Sequence, residues 1–341
     1  RALAAAGAEN RANVRLAASS GPSADRADAA VRRLGERALG HVRHREVVSA
    51  GALESFGECP VKWLIERQLD PRRFEPDPDP LTRGSYMHDV LERVLSRLGG
   101  PVTPGSLDAA QTILGQVLAA QPVANADGVP VIGPGRPDGL RAAMLRSIEA
   151  DLRRYLEHEA GDGCNWAPAG LELRFGFSTE DGSLPAVTLG QGEDRVLLRG
   201  VIDRVDVDPA GSGTAMVRDY KSGSTRPEYQ SARWGVERRL QIALYMVAVR
   251  ELLELHPVAG LYQPLGGRDL RARGVFLKDA PVGARVFAND GGGQDKLDAL
   301  LADAEALAVE LAARLRAGAL QPCPSTCSRD GCRYPGICWS E

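Results

Sequence analysis

Lysine is scarce in this 341-residue chain: Lys62, Lys221, Lys278 and Lys296 are the only four among 42 basic residues, and arginine supplies the rest. With Ala and Gly also abundant, this usage points to a GC-rich genome, so each retained lysine asks for a reason. Long apolar runs are missing as well. None approaches the roughly 18 residues of a membrane span, and the first residues lack the charged-then-apolar pattern of a signal peptide. The chain therefore reads as cytoplasmic and free of membrane. No Gly-x-x-x-x-Gly-Lys phosphate loop occurs, which puts any ATP-driven motor outside this chain. There is no excess of positive charge either: 42 basic residues face 45 acidic ones, a net charge of −3. That excludes a uniformly basic nucleic-acid coat and leaves room for a local basic groove. Finally, there is no initiator Met. Residues 1–46 are rich in Ala and Arg, with helical spacing but a weak apolar face. They read as a linker or partner-contacting helical tail of something longer.

What is present suffices for a buried core without disulfides. Ser49 is a helix N-cap signal ahead of Leu53, Phe56, Trp63 and Leu64, and Cys59-Pro60 interrupts the run, so two short helices should meet near Cys59. Pro71 to Pro80 reads as loop. Met87, Val90, Leu91, Val94, Leu95 and Leu98 form one helical stripe, on a helix that carries His88 in its first turns. Residues 99–138, rich in Gly and Pro, read as a partly helical insertion before a helix from Gly139 to His158. The period then changes to two. Leu171, Leu173, Phe175 and Phe177 alternate with other residues, and Val196–Val207 and Met216–Tyr220 are β-rich. The turn residues Asp208-Pro-Ala-Gly-Ser-Gly213 should join the last two as a hairpin. A helix over Val236–Leu255, strands at Val258–Tyr262 and Gly274–Lys278, and a last helix over Gln294–Ala317 complete an α/β pattern.

The hairpin carries the chemistry. Its strands read Leu198-Arg-Gly-Val-Ile-Asp203-Arg204-Val-Asp-Val and Val217-Arg-Asp219-Tyr220-Lys221-Ser-Gly. Side chains repeat every two residues on a strand, so Asp219 and Lys221 share a face and the turn returns Asp203 beside them. Aspartate is disfavoured inside strands. Two such carboxylates can hold Mg²⁺ through hard oxygen ligands, while a compact ammonium orients the attacking water and offsets charge developing on a phosphate. Arginine would keep the charge of Lys221 but not that compact form. His88 could reach over the hairpin as a further ligand. Gln241 and Tyr245, four apart, share a helix face. Arg218 to Arg239 holds six basic residues against three acidic ones, a local +3 that would attract phosphates. The reaction suited to this group is metal-assisted phosphodiester hydrolysis.

Taken in order, Gly84-Ser-Tyr-Met-His88, Gly200-Val-Ile-Asp203-Arg204, Asp219-Tyr220-Lys221-Ser-Gly223 and Gln241-Ile-Ala-Leu-Tyr245 resemble the motifs of the RecB-type PD-(D/E)XK nucleases. The resemblance runs from Val48 to the C-terminus. It implies a restriction-endonuclease-like core: a central mixed β-sheet flanked by helices, spanning 47–341. It also implies that His88, Asp203, Asp219 and the Tyr220 carbonyl bind Mg²⁺ or Mn²⁺, that Lys221 is the catalytic lysine alongside Asp203 and Asp219, and that Gln241, Tyr245 and Arg204 meet the DNA. The sequence departs from the family pattern in having Ser222 where Thr often follows the lysine, and in its insertion after the histidine helix.

Four cysteines, Cys323, Cys327, Cys332 and Cys338, crowd the end of the chain, and Cys59 lies far upstream. Thiolates select zinc or iron–sulfur clusters, and the four tail cysteines could form a zinc knuckle by themselves. The remote Cys59-Pro60 and the segment Cys332-Arg-Tyr-Pro-Gly-Ile-Cys338 resemble instead the iron–sulfur variety of the family, found in AddB-type subunits and CRISPR adaptation nucleases. That resemblance implies a 4Fe-4S staple joining the N- and C-terminal parts, held by Cys59, Cys332, Cys338 and Cys327, with Cys323 as the alternative to Cys327. The family's usual Cys-x2-Cys is absent, Arg329 standing where the second cysteine would fall. Cys164 is a spare thiol.

The expected activity is that of a Mg²⁺-dependent deoxyribonuclease acting on DNA, at single-stranded ends, in a bacterial, nucleoid-associated helicase–nuclease that processes double-strand breaks for recombinational repair. The motor would be a separate domain or subunit. Alternatives are a free-standing iron–sulfur single-strand exonuclease and a non-cleaving DNA-binding scaffold with the nuclease fold.

Overall fold

The computed structural model describes residues 47–70, 79–120, 138–178, 182–323 and 334. The tail 1–46, the segment 71–78, the second half of the insertion, and Cys327, Cys332 and Cys338 lie outside the described residues. After a short strand β1 (Val47–Ser49), the Ser49 hydroxyl accepts from the Ala52 amide at 3.2 Å and starts α1 (Ala50–Glu58). Pro60 disfavours helical backbone at Cys59, which is extended at φ −158°, ψ 112°. That ends α1 and opens α2 (Pro60–Trp63), which continues as a π-helical turn to Leu69. The two helices expected around Cys59 are therefore present, and the proline causes the break.

The amphipathic stripe forms α3 (Asp79–Leu98), in which Met87, Val90, Leu91, Val94 and Leu95 are buried. Next come α4 (Leu107–Ala119), inside the expected insertion, and α5 (Asp138–Ala160). The sheet is built from β1, β2 (Ala167–Phe175), β3 (Val187–Leu189), β4 (Val196–Val207), β5 (Thr214–Lys221), β6 (His256–Pro264), β7 (Arg273–Leu277) and β8 (Gly291–Gly292), in the order β1-β4-β5-β6-β7-β8, with β2 and β3 also paired to β4. The β4–β5 and β6–β7 pairs are antiparallel, whereas β1–β4 and β5–β6 are parallel. The expected mixed α/β sheet is thus observed, and β1 and β3 are additions too short to show a period in the sequence.

One helix expected over Val236–Leu255 is instead two: α6 (Ser231–Glu237) and α7 (Gln241–Leu253). Arg238 between them is left-handed at φ 52°, and the first amides of α7 are capped from a distance, the Glu54 carboxylate of α1 accepting from Leu240 and Gln241 at 2.6 and 2.7 Å. A cap supplied across the fold has no local signature. The last helix, α8 (Gln294–Arg316), follows the sequence pattern closely.

Helices cover both faces of the sheet. On one face, Val205, Val217, Ile202 and Phe175 join a core with α1, α7 and α8; on the other, Tyr220 and Leu265 pack with α3, α4 and α5. The β4–β5 ladder runs only from Arg204↔Arg218 to Val207↔Ala215, while β5 continues beside β6 to Lys221↔Pro264. The strands therefore part at Asp203 and Asp219. Just before the fork, Gly200 admits two aromatic rings: a Cβ there would lie 2.7 Å from Tyr245 and 2.9 Å from Phe175. Gly200→Ala should cost about 1–3 kcal/mol through this overpacking, read as a lowered denaturation midpoint in urea; an unchanged midpoint would contradict the packing.

Candidate active site

At the fork, the Tyr220 amide donates to Asp203 Oδ2 at 2.6 Å, replacing the lost ladder bond with a side-chain contact. The strand period directs Asp219 and Lys221 to one face, where the Lys221 ammonium ion-pairs with Asp219 Oδ2 and stands 5.3 Å from the centre of the Tyr262 ring. His88 on α3 reaches over Tyr220, the two rings meeting edge to face at 5.7 Å, and its Nδ1 lies 3.6 Å from Asp203 Oδ2. The same nitrogen is 3.8 Å from Glu172 Oε1. Ligand atoms of His88, Glu172 and Asp203 all fall within 4.8 Å of one another.

The electrostatics follow from burial and mutual repulsion. Burial, then the Asp219 and Glu172 carboxylates, push Asp203 well above the usual carboxylate range. Burial, then Glu92, Asp219 and Asp89, raise Glu172 to about 7. Burial lowers His88, against the pull of Asp219 and a hydrogen bond to the Tyr220 backbone. Burial also works against the charge on Lys221, but Asp219 outweighs it and holds the pKa above the ordinary lysine value. Lys221 is thus a fixed cation at neutral pH. Oxygen donors and one imidazole, converging where burial and neighbouring carboxylates disfavour ionisation, fit a hard divalent cation that would take the place of the protons.

Glu172 was not among the residues expected from the sequence. It lies on β2 opposite the fork, at φ 45°, a left-handed conformation that turns it out of the strand alternation. Its signal was the one used for Asp203, a carboxylate inside an apolar strand, but the backbone turn that redirects it is not readable locally.

Gln241 and Tyr245 stand one turn apart at the start of α7, Gln241 Nε2 donating to the Tyr245 hydroxyl at 3.3 Å. The Tyr245 ring meets Phe175 edge to face at 6.0 Å.

Arg204, expected at the DNA, is a correction. It alternates with Asp203, points to the opposite face of β4 and is only 2 % exposed. There it binds Glu159 at 2.7 Å and Asp206 at 2.5 Å, and donates to the Tyr220 hydroxyl at 3.4 Å. Arg218 completes this buried group through Asp206 at 2.9 Å. In the expected basic stretch, Arg233 pairs with Glu237, and Arg226 and Arg239 share Glu228, carboxylates already counted in the local +3; from outside the stretch, Asp206 meets Arg218 and Glu54 meets Arg239.

Of the cysteines, Cys59 is buried with Val61 and Ile65, and Cys323 and Tyr334 pack against them. The Tyr334 hydroxyl donates to Glu66 at 3.0 Å, so the end of the chain returns to α2 and its π turn. Cys164 lies elsewhere, near the Pro281 carbonyl.

A family profile described as the PD-(D/E)XK nuclease superfamily matches residues 47–339. The chain is 22 % identical over 282 residues to a subunit of the ATP-dependent helicase/deoxyribonuclease of Clostridioides difficile, covering 74 % of this chain and 24 % of that protein. It is 27 % identical over 242 residues to the subunit of the same name in Lachnoclostridium phytofermentans, covering 68 % and 19 %. The chain thus spans about a quarter or less of the curated relatives it matches.

The raised pKa of Glu172 fixes the sign of a pH effect. In metal-free protein the folded state holds this proton more tightly than the unfolded chain. Its stabilising share is therefore full below the ordinary 4.5 and lost as pH rises to about 7. His88, lowered from 6.5, contributes in the opposite direction. Comparing wild type with Glu172→Gln isolates the carboxylate. The wild type should lose thermal stability relative to the variant as pH rises through that window, and added Mg²⁺ should reverse the loss; a flat difference would refute the site electrostatics.

Proposed function

The chain belongs to the PD-(D/E)XK nuclease superfamily, and on that premise we propose that it is a Mg²⁺-dependent deoxyribonuclease, the nuclease module of a helicase–nuclease. The observation that carries this reading is the convergence of His88, Glu172 and Asp203 within 4.8 Å, beside the Asp219–Lys221 pair. An inactivated copy of the fold would have no need to keep buried carboxylates in mutual repulsion.

His88, Asp203, Asp219 and the Tyr220 carbonyl would hold Mg²⁺ or Mn²⁺, with Glu172 joining them. When bound, the cation supplies Lewis-acid neutralisation of the scissile phosphate. The protein's own groups do the rest. Lys221, fixed by Asp219, brings a second positive charge to the phosphate as water adds to phosphorus and the P–O bond to the leaving strand breaks. Asp203, hydrogen-bonded by the Tyr220 amide, stays oriented without the cation. Gln241 and Tyr245 flank the site where the strand would pass.

We extend the reading to the context that the relatives' name suggests: a motor outside this chain, DNA ends as substrate, recombinational repair as purpose, and the nucleoid as location. Among the described residues no helix is long and apolar enough to cross a membrane. For the thiols, the reading is a 4Fe-4S cluster on Cys59, Cys327, Cys332 and Cys338, with Cys323 as alternative to Cys327 and zinc as alternative metal. The return of Cys323 and Tyr334 to the Cys59 helices supports a staple there. Its binding free energy would be folding free energy.

Asp219→Ala and Lys221→Ala should each abolish Mg²⁺-dependent cleavage of end-labelled DNA while binding persists; unchanged cleavage in both would sink the assignment. Cys59→Ala should lose the brown chromophore and lower the thermal midpoint. Stoichiometric zinc without iron in anaerobically purified protein would remove the iron–sulfur claim.

A further inference from the structure

Most cations near the carboxylate cluster stand against a carboxylate of the fold: Arg218 against Asp206, Lys221 against Asp219, Arg233 against Glu237, Arg226 and Arg239 against Glu228. Two arginines differ. Arg174 on β2 and Arg199 on β4 both lay their guanidinium groups over the ring of Phe177, at 4.5 and 5.3 Å from its centre. Among the described residues no carboxylate forms an ion pair with either. Arg174 is exposed, and Arg199 and Phe177 are half-buried.

The triplet is built into the strands. Arg174 pairs with Val201 across the β2–β4 ladder, two residues from Arg199. Gly176, left-handed at φ 74°, lets the chain turn tightly over Arg199, where a Cβ would come within 2.6 Å of the arginine's own Cβ. Its position is equally definite. Arg174 follows Glu172 by two residues on one strand, and its charge acts on the Glu172 carboxylate. The triplet therefore neighbours the carboxylate cluster along β2.

A guanidinium stacked on a phenyl ring has its plane oriented, one face covered and its N–H edge free. An unpaired base can stack on such a plane while neighbouring phosphates accept from its edge. Bases in a duplex are already stacked on each other and offer phosphates alone. We propose that Arg174, Phe177 and Arg199 form a ledge for single-stranded DNA adjoining the metal-ligand cluster, gripping the strand by base stacking and phosphate contacts. The proposal rests on the nuclease reading for its choice of polymer.

The test is equilibrium binding of full-chain protein, in the Asp219→Ala background so that strands stay intact, to a fluorescent single strand, the same sequence as a duplex, and an abasic strand. Arg174→Ala with Arg199→Ala should weaken single-strand binding by about tenfold or more and affect the duplex and abasic strand much less. Arg174→Lys with Arg199→Lys keeps the charge and the surface but not the stacked plane; it should still lose most of the preference for the strand with bases. Equal weakening on all three DNAs, or a lysine pair that binds the single strand as its parent does, would overturn the ledge. Cleavage by the otherwise unmodified protein is scored alongside. If it cleaves while the ledge variants bind normally, only the ledge fails; if it neither binds nor cleaves DNA, the nuclease reading fails first.

Discussion

Like charge held together where two strands part is the constraint on which this structure depends. Asp203, Asp219 and Glu172 repel one another in a partly dry recess, and burial makes the ionised forms of Asp203 and Glu172 harder to sustain. The fork between β4 and β5 creates the recess, since a continuous ladder would bring the strand edges together and leave no opening. What offsets the repulsion is arranged around it: the Lys221 ammonium on Asp219 and the Tyr220 amide on Asp203. A divalent cation bound there would relieve the remainder.

Behind the fork, the opposite face of the same strands carries a second set of charges with balanced signs. Arg204 and Arg218 face Asp206 and Glu159 in nearly complete burial. Buried ion pairs contribute little net stability, yet removing one member leaves an uncompensated charge and is costly. Tyr220 connects the two sides, its hydroxyl reached by Arg204 and its amide donating to Asp203. Rigid planar guanidinium groups suit this role better than lysine, since each can meet two or three partners at fixed angles.

A third link runs from the N-terminal helices to α7. Glu54 caps the helix that carries Gln241 and Tyr245, and Arg238 donates to the Gly57 carbonyl, two residues before Cys59. The end of the chain docks on the same helices through Cys323 and Tyr334. Cys59, Cys323 and Tyr334 therefore lie beside the segment that sets the start of α7.

Periodicity alone determined much of this protein. The stripe from Met87 to Leu98, the β4–β5 hairpin and the final helix were legible because burial on one face imposes a repeat of 3.6 or 2 residues, and Cys59-Pro60 was legible because proline acts on its immediate neighbour. The same period put Asp219 and Lys221 on one face, and lysine scarcity marked the second of them. Tertiary structure decided what depends on distant partners. It turned Glu172 into the cluster through one left-handed residue, buried Arg204 on the reverse face, split the helix at Arg238 through a cap from Glu54, and paired Arg218 of the basic stretch with the buried Asp206. Charge can be counted along a chain, but whether it faces solvent or a carboxylate is set only when strands and helices meet.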